Sequence, residues 1–195
     1  MIISIREIFD IILMTAAVGY IVMAFLRKPS PHDYLRPDKF NWEKFKIACW
    51  ISGPALILHE LAHKFVALGY GFDATFHAAY AFLALGIVLR LMRSQFIFFV
   101  PGYVAIACRQ ASQAAGCAIP SLQSAIIAGA GPFTNLALFA GAALVLKYKK
   151  KLKRRTVLIL HLTKVINLFL FFFNMLPFYI FDGYKFFSGL FHHFF

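Results

Sequence analysis

The chain has 195 residues, of which 61% are hydrophobic and 14% are charged, and its mean hydropathy is +0.73. An average soluble domain contains about 25% charged residues, so this composition excludes an ordinary soluble protein and predicts an integral membrane protein. The net charge is +12, but thirteen of the twenty Lys and Arg residues lie in two short stretches, 27–46 and 147–155. Basic loops between apolar runs are typical of membrane-flanking loops on the cytoplasmic side. A nucleic-acid partner is not expected, because no polar domain could carry its binding site.

The first apolar run, 8–26, is predicted to be a membrane helix, because about 19 residues suffice to cross a bilayer core of roughly 30 Å. A cleaved signal peptide is the alternative. We favour a retained helix because Glu7 and Asp10 interrupt the positively charged segment with which a signal peptide begins. Further along the chain, the sequence predicts membrane helices at 47–69, 125–146 and 156–173. It also predicts a short helical run at 76–92 and a Phe-rich tail at 184–195.

Residues 96–107 are aromatic and β-branched around Pro101 and Gly102, which predicts a hairpin. Such a hairpin must be covered by helices or line a wet cavity, because lipid offers no hydrogen-bond partners. The predicted fold is therefore all-α: a polytopic bundle of about five to six membrane-embedded helices with a small membrane-associated β hairpin. We expect one domain, 1–195, in a multi-pass protein of the cell membrane.

The three cysteines show no metal-binding or disulfide spacing. We therefore interpret Cys49, Cys108 and Cys117 as small core residues.

His59, Glu60 and His63 form an HExxH motif on a predicted helix. A spacing of four residues places both imidazoles on one helix face, where they can bind one metal ion. Glu60 lies beside that face and can accept a proton from an activated water. The motif supplies two ligands, and a catalytic zinc usually has three protein ligands and one open position.

The third ligand must come from another part of the chain. Beyond residue 46, the carboxylates are Glu60, Asp73 and Asp182. Asp73 follows the helix end and more plausibly caps a turn. Asp182 lies in an apolar region, where an uncompensated carboxylate costs about 3 kcal/mol or more, so zinc is its expected partner. An ion pair of Asp182 with Lys185 or Lys164 remains the alternative.

Asn174 and Pro177 interrupt the preceding helix and give Asp182 a route toward the two histidines. Gly183 removes side-chain bulk directly behind Asp182.

Three motifs occur in order along the chain: HELAH at 59–63, GPFTN at 131–135 and NMLPFYIFDG at 174–183. In a membrane chain this combination resembles the site-2 protease family of intramembrane zinc metalloproteases. The resemblance covers a catalytic core of 47–185. No polar segment between the apolar runs exceeds about 20 residues, so we expect a prokaryotic type without a PDZ domain.

The resemblance implies one zinc ion per chain, bound by His59, His63 and Asp182, with Glu60 as the general base. Asn135 matches a family position thought to position substrate or stabilise developing charge. An interhelical hydrogen bond is the alternative role for Asn135. An unwound substrate segment could also pair with an edge of the 96–107 hairpin.

The expected function is hydrolysis of peptide bonds within or near transmembrane segments. The expected substrate is a transmembrane protein, such as a membrane-anchored regulator. A membrane metal-ion transporter and a proteolytically inactive relative are the alternatives. A transporter needs the ligands but not Glu60, and it usually contains sequence repeats, which this chain lacks.

Overall fold

The computed structural model describes residues 3–26, 40–92, 94, 100–108, 119–149 and 151–195. These residues form six α-helices and two short strands, and a 3-10 turn at Met23–Leu26 extends the first helix. The elements in chain order are α1 (Ile5–Val22), α2 (Trp42–Gly69), β1 (Asp73–Ala78), α3 (Tyr80–Leu91), β2 (Gly102–Ala107), α4 (Ser121–Tyr148), α5 (Arg154–Asn174) and α6 (Asp182–Phe194).

Local sequence explains where the first two helices begin. Ser4 and Glu7 form a reciprocal capping box, in which each side chain accepts a hydrogen bond from the backbone of the other. Asn41 caps α2 by accepting a 2.9 Å hydrogen bond from the Lys44 amide. This cap starts α2 at Trp42, five residues before the apolar run that the sequence identified.

The two strands lie apart in the chain, so they are not the hairpin predicted at 96–107, whose first strand falls largely outside the described residues. β2 falls within 96–107, but its antiparallel partner is β1, with Asp73 opposite Ala107 and Ala78 opposite Gly102. The helical run predicted at 76–92 therefore begins only at Tyr80, after the strand ends. Hydropathy could not separate these states, because a short apolar run fits a strand and a buried helix equally well. Residues 95–99 lie outside the described residues.

The core lies where α1, α2, α3, α5 and β1 meet. Its buried side chains are Met14, Val18, Ala55, Leu56, Phe76, Ala78, Leu83 and Leu170. α4 packs against α2, α5 and α6, so it forms the centre of the second half of the molecule. Arg90 joins α3 to α1 by donating a 3.2 Å hydrogen bond to the Ile21 carbonyl, and its guanidinium lies 4.1 Å from the centre of the Tyr20 ring.

Among the described helices, α4 and α5 are long and apolar enough to cross a membrane. α1 carries Arg6, Glu7 and Asp10, and α2 carries the polar HExxH segment. These residues lower the apolar character of α1 and α2. The structure therefore supports a mostly helical protein with two candidate spans, and the bundle of five to six membrane-embedded helices stays a prediction.

The cysteines differ from the sequence-based interpretation. Cys108, which directly follows β2, is disulfide-bonded, whereas Cys49 is a free thiol. The interpretation was therefore wrong for Cys108. Spacing alone could not reveal the bond, because it depends on the distance between side chains in the fold. Cys117 lies outside the described residues.

Candidate metal centre

Two helices, α2 and α6, bring three ligand-type side chains together. His59 and His63 lie one turn apart on α2, and both are buried. Asp182 is the first residue of α6. Its Oδ2 atom lies 3.2 Å from the Nε2 atom of each histidine, and the two Nε2 atoms are 3.1 Å apart.

This triangle fits a zinc ion. Tetrahedral zinc with bonds of about 2.0–2.1 Å places its ligand atoms about 3.3 Å apart. The three observed separations agree with this value to within about 0.2 Å, and two imidazoles with one carboxylate are typical zinc ligands. Three protein ligands leave the fourth position open, as in catalytic rather than structural sites.

The other nitrogen of each imidazole is bonded in a way that favours metal binding. The Nδ1 atom of His59 lies 2.5 Å from the Asn135 Oδ1 atom, and the Nδ1 atom of His63 lies 2.7 Å from the Ile127 carbonyl oxygen. Because both oxygens accept hydrogen bonds, each Nδ1 carries the proton and each Nε2 keeps a free lone pair. The α4 contacts therefore orient both rings toward the triangle.

Asn135 is fully buried and lies behind His59. Its amide nitrogen donates to the Ala55 carbonyl at 3.0 Å and to the Asn167 Oδ1 atom at 2.9 Å. Asn167 in turn donates to the Thr163 carbonyl of its own helix. Both donors of Asn135 are thus occupied, and its oxygen is directed at the imidazole.

A glycine on α4 makes room for the two histidines. A Cβ atom built on Gly131 would overlap the Nε2 atom of His63 and lie 2.7 Å from the Nε2 atom of His59. α4 can therefore cross α2 this closely only where it has no side chain. Pro132 follows directly and lacks the amide hydrogen that would bond the Ala128 carbonyl.

The connection between α5 and α6 positions Asp182. Asn174 is the last residue of α5, and its amide donates to the Leu170 carbonyl at 2.9 Å. Pro177 lies in the exposed loop that follows. A Cβ atom built on Gly183 would overlap the Met175 carbonyl, so a glycine is needed where the start of α6 folds back onto the end of α5.

A cleft of about 350 Å³ opens onto the three ligand-type side chains. Glu60, which is 8% exposed, and Asn174 also line this cleft. β2, α4 and α5 supply mainly apolar walls. The arrangement can hold a metal ion and bring Glu60 to a bound molecule in a largely apolar pocket.

One relative can be compared with this geometry. A protein of Methanocaldococcus jannaschii named "Putative zinc metalloprotease" is 33% identical over 188 residues, which cover 92% of this chain and 82% of the relative. The chain belongs to this zinc metalloprotease family. No protein-family model matches this metalloprotease chain. No solved structure matches it either.

The structure brings four of the predicted site residues together in one cleft. His59, His63 and Asp182 meet at one point, and Glu60 lines the same cleft. The oxygen of Asp182 faces the imidazoles, and no lysine within the described residues forms an ion pair with it. Asp73, the alternative carboxylate, is the exposed first residue of β1.

Sequence analysis missed the residues that support the histidines of this metalloprotease. The carbonyls of Ala55 and Ile127 are backbone groups, which no sequence motif reveals. Asn167 is a buried polar residue in the apolar second half of its helix, and this position was the one available signal.

Proposed function

We propose that this chain is an intramembrane zinc metalloprotease of the site-2 protease type, which hydrolyses peptide bonds within or near transmembrane segments. The observation that carries the proposal is the open three-ligand arrangement of His59, His63 and Asp182 beside Glu60. A transporter would need the three ligands but no general base next to them. The zinc metalloprotease family of the chain supports the same chemistry.

His59, His63 and Asp182 would hold a zinc ion, which would lower the pKa of a bound water to about 7 and polarise the scissile carbonyl. Glu60 accepts a proton from the attacking water and transfers it to the leaving amine nitrogen. The buried position of Glu60 keeps bulk water away from this exchange. Asn135 and the Ile127 carbonyl hold the imidazoles in the tautomer that the metal requires.

Among the described residues, the β sheet has one edge without a pairing strand. On β1, the Phe76 amide donates to a carboxylate oxygen of Glu7 at 2.8 Å, and the Ala78 amide donates to Asp10 at 3.3 Å. The outer edge of β1 is thereby covered by α1.

In an antiparallel pair, two residues directly opposite each other either both direct their N–H and C=O groups toward the partner strand or both direct them away from it. Val104 lies opposite Phe76 and Gly102 lies opposite Ala78, so their N–H and C=O groups point away from β1. Both residues line the cleft, and no further strand of the described residues pairs with β2. An unwound substrate segment can bind there as a third strand, beside Glu60 and the zinc ligands.

The surface composition supports a position within the bilayer. α5 and α6 expose large apolar side chains, and such surfaces require lipid or a protein partner. These side chains are Leu158, Val165, Phe169, Phe172, Phe187, Phe191 and Phe194. With α4 and α5 as spans, we propose a multi-pass protein of the cell membrane whose substrate is itself a transmembrane protein, such as a membrane-anchored regulator.

The deciding experiment measures zinc content and cleavage of a generic transmembrane substrate by the purified full chain in detergent. We expect one zinc per chain in the wild type. Glu60→Gln should keep that zinc and lose about 10²- to 10⁴-fold in rate, because only proton transfer is removed. Asp182→Ala should lose both zinc and cleavage.

Asp73→Asn is the matched control, because Asp73 is the other aspartate beyond residue 46 and does not line the cleft. It should keep zinc and cleavage. Zinc binding without wild-type cleavage would contradict the proposal and favour a transporter or an inactive relative.

A further inference from the structure

Besides the zinc ligands and Glu60, the cleft contains a lysine. Lys185 lies three residues after Asp182 on α6, so the two side chains share one helix face and are separated by about 4.5 Å along the axis. Lys185 is exposed and lines the cleft. The lysine thus lines the same cleft as the candidate metal centre.

The Lys185 ammonium group has no carboxylate partner among the described residues. Among the described residues that line the cleft, Lys185 is the one Lys or Arg side chain. Within the described part of the chain, no carboxylate lies within 4.0 Å of its ammonium group. A bound zinc ion would have its two positive charges balanced by Asp182 and Glu60, so among the described residues of the cleft Lys185 would leave one positive charge.

The packing of α6 shows on which side of the metal centre Lys185 lies. α4 meets the two histidines at Gly131, contacts Phe186 at Gly129, and approaches Gly189 at Ala125. Along α6, residues after Asp182 therefore run from the metal centre toward the beginning of α4. Ser124 lines the cleft on this side as well. A peptide strand advances about 3.3 Å per residue, so Lys185 reaches substrate positions within about three residues of the scissile bond.

We propose that Lys185 binds a carboxylate of the substrate next to the scissile bond and thereby determines substrate specificity. This inference rests on the proposed function and names a feature of its substrate. A carboxylate is the complementary group for an ammonium ion in a largely apolar cleft, because an ion pair strengthens as water is excluded. The carboxylate can belong to an Asp or Glu side chain or to a free C-terminus.

The test uses fluorescent transmembrane peptides with an amidated C-terminus that differ only in Glu, Gln or Lys within three residues of the cleaved bond. A fourth peptide has Gln and a free C-terminus at that distance. Binding is measured with zinc-loaded Glu60→Gln protein, which cannot turn the peptides over, and cleavage is measured with Glu60 present. Each measurement is repeated with Lys185→Ala, Lys185→Glu and the control Lys151→Glu, which makes the same charge change at an exposed site outside the cleft.

With Lys185 present, we expect the Glu peptide to bind about three- to tenfold more tightly than the Gln peptide. Lys185→Ala should abolish this preference, Lys185→Glu should favour the Lys peptide, and Lys151→Glu should leave the preference unchanged. In cleavage, Lys185→Ala should raise KM for the Glu peptide more than it lowers kcat. A preference for the free C-terminus instead of Glu would identify the terminal carboxylate as the bound group.

Equal binding of the Glu, Gln and free-carboxylate peptides overturns the inference, and so does a preference that Lys185→Glu leaves unchanged. The binding measurement separates this inference from the proposed function. If peptides bind with a Lys185-dependent preference but the wild type cleaves none, the protease proposal fails and the carboxylate site stands.

Discussion

Asn135 contacts a ligand-type residue of the candidate metal centre, because its Oδ1 atom lies 2.5 Å from the His59 Nδ1 atom. The sequence resemblance implies that Asn135 positions substrate or stabilises developing charge, and the second role requires a free N–H donor. In the structure both of its donors are occupied, and its oxygen orients His59. This geometry favours a positioning role, in which the loss of Asn135 acts through the histidine.

We expect Asn135→Ala to lower zinc affinity about 10- to 100-fold, because the His59 Nδ1 hydrogen loses its acceptor. Zinc competition with a chelator measures this change. Thr134→Ala is the control, because the Thr134 hydroxyl bonds only a carbonyl of its own helix. Unchanged zinc affinity together with slower cleavage would instead return Asn135 to a role at the reacting carbonyl.

At the scale of whole elements, α1 and α2 fix the sheet beside the metal centre. Lys64 directly follows the zinc-ligand candidate His63, is 1% exposed, and pairs with Glu7 of α1. Glu7 also accepts the Phe76 amide of β1, so one buried carboxylate joins the metal-binding helix to the sheet. Asp10 holds the Ala78 amide and the Tyr80 hydroxyl in the same way. The sheet consequently keeps a defined position relative to His63.

The open edge of β2 predicts a selective effect of proline. Val104→Pro removes an N–H group that points away from β1, so the β1–β2 pairing should persist while substrate pairing is lost. We expect cleavage to fall by about tenfold, because the substrate loses one hydrogen bond of about 1 kcal/mol and its alignment along β2. Zinc content should stay unchanged. Val104→Ala keeps the N–H group and controls for the side chain. Equal cleavage by the proline and alanine variants would argue against strand pairing at this edge.

For the whole molecule, the connection between α4 and α5 is the most informative polar segment. Both helices are long and apolar enough to span a membrane, and the connection together with the adjoining helix ends, 147–155, carries seven Lys and Arg residues. Short basic loops next to spans remain on the cytoplasmic side. We therefore expect this connection to lie in the cytoplasm.

Lys151→Cys tests that topology, because residue 151 is exposed in the connection. We expect a membrane-impermeant thiol reagent to label it only after the cells of an expression host are opened. The parent protein, which contains its native cysteines, gives the background. Labelling of Lys151→Cys in intact cells would reverse the proposed orientation of α4 and α5.

The sequence determined those features that depend on composition and local spacing. Its apolar runs located α4 and α5, and the four-residue spacing of His59 and His63 placed both on one helix face. The scarcity of carboxylates in the apolar region singled out Asp182, because a lone charge there is costly.

Only the tertiary structure decided the features that arise from contacts between distant segments. The pairing of β1 with β2, the carboxylates of α1 on β1 and the disulfide at Cys108 depend on how the chain folds back on itself. The tautomers of both histidines depend on α4, through Asn135 and the carbonyl of Ile127. Hydrogen bonds are directional and act over about 3 Å, so a pattern in one segment cannot show which group of another segment will meet it.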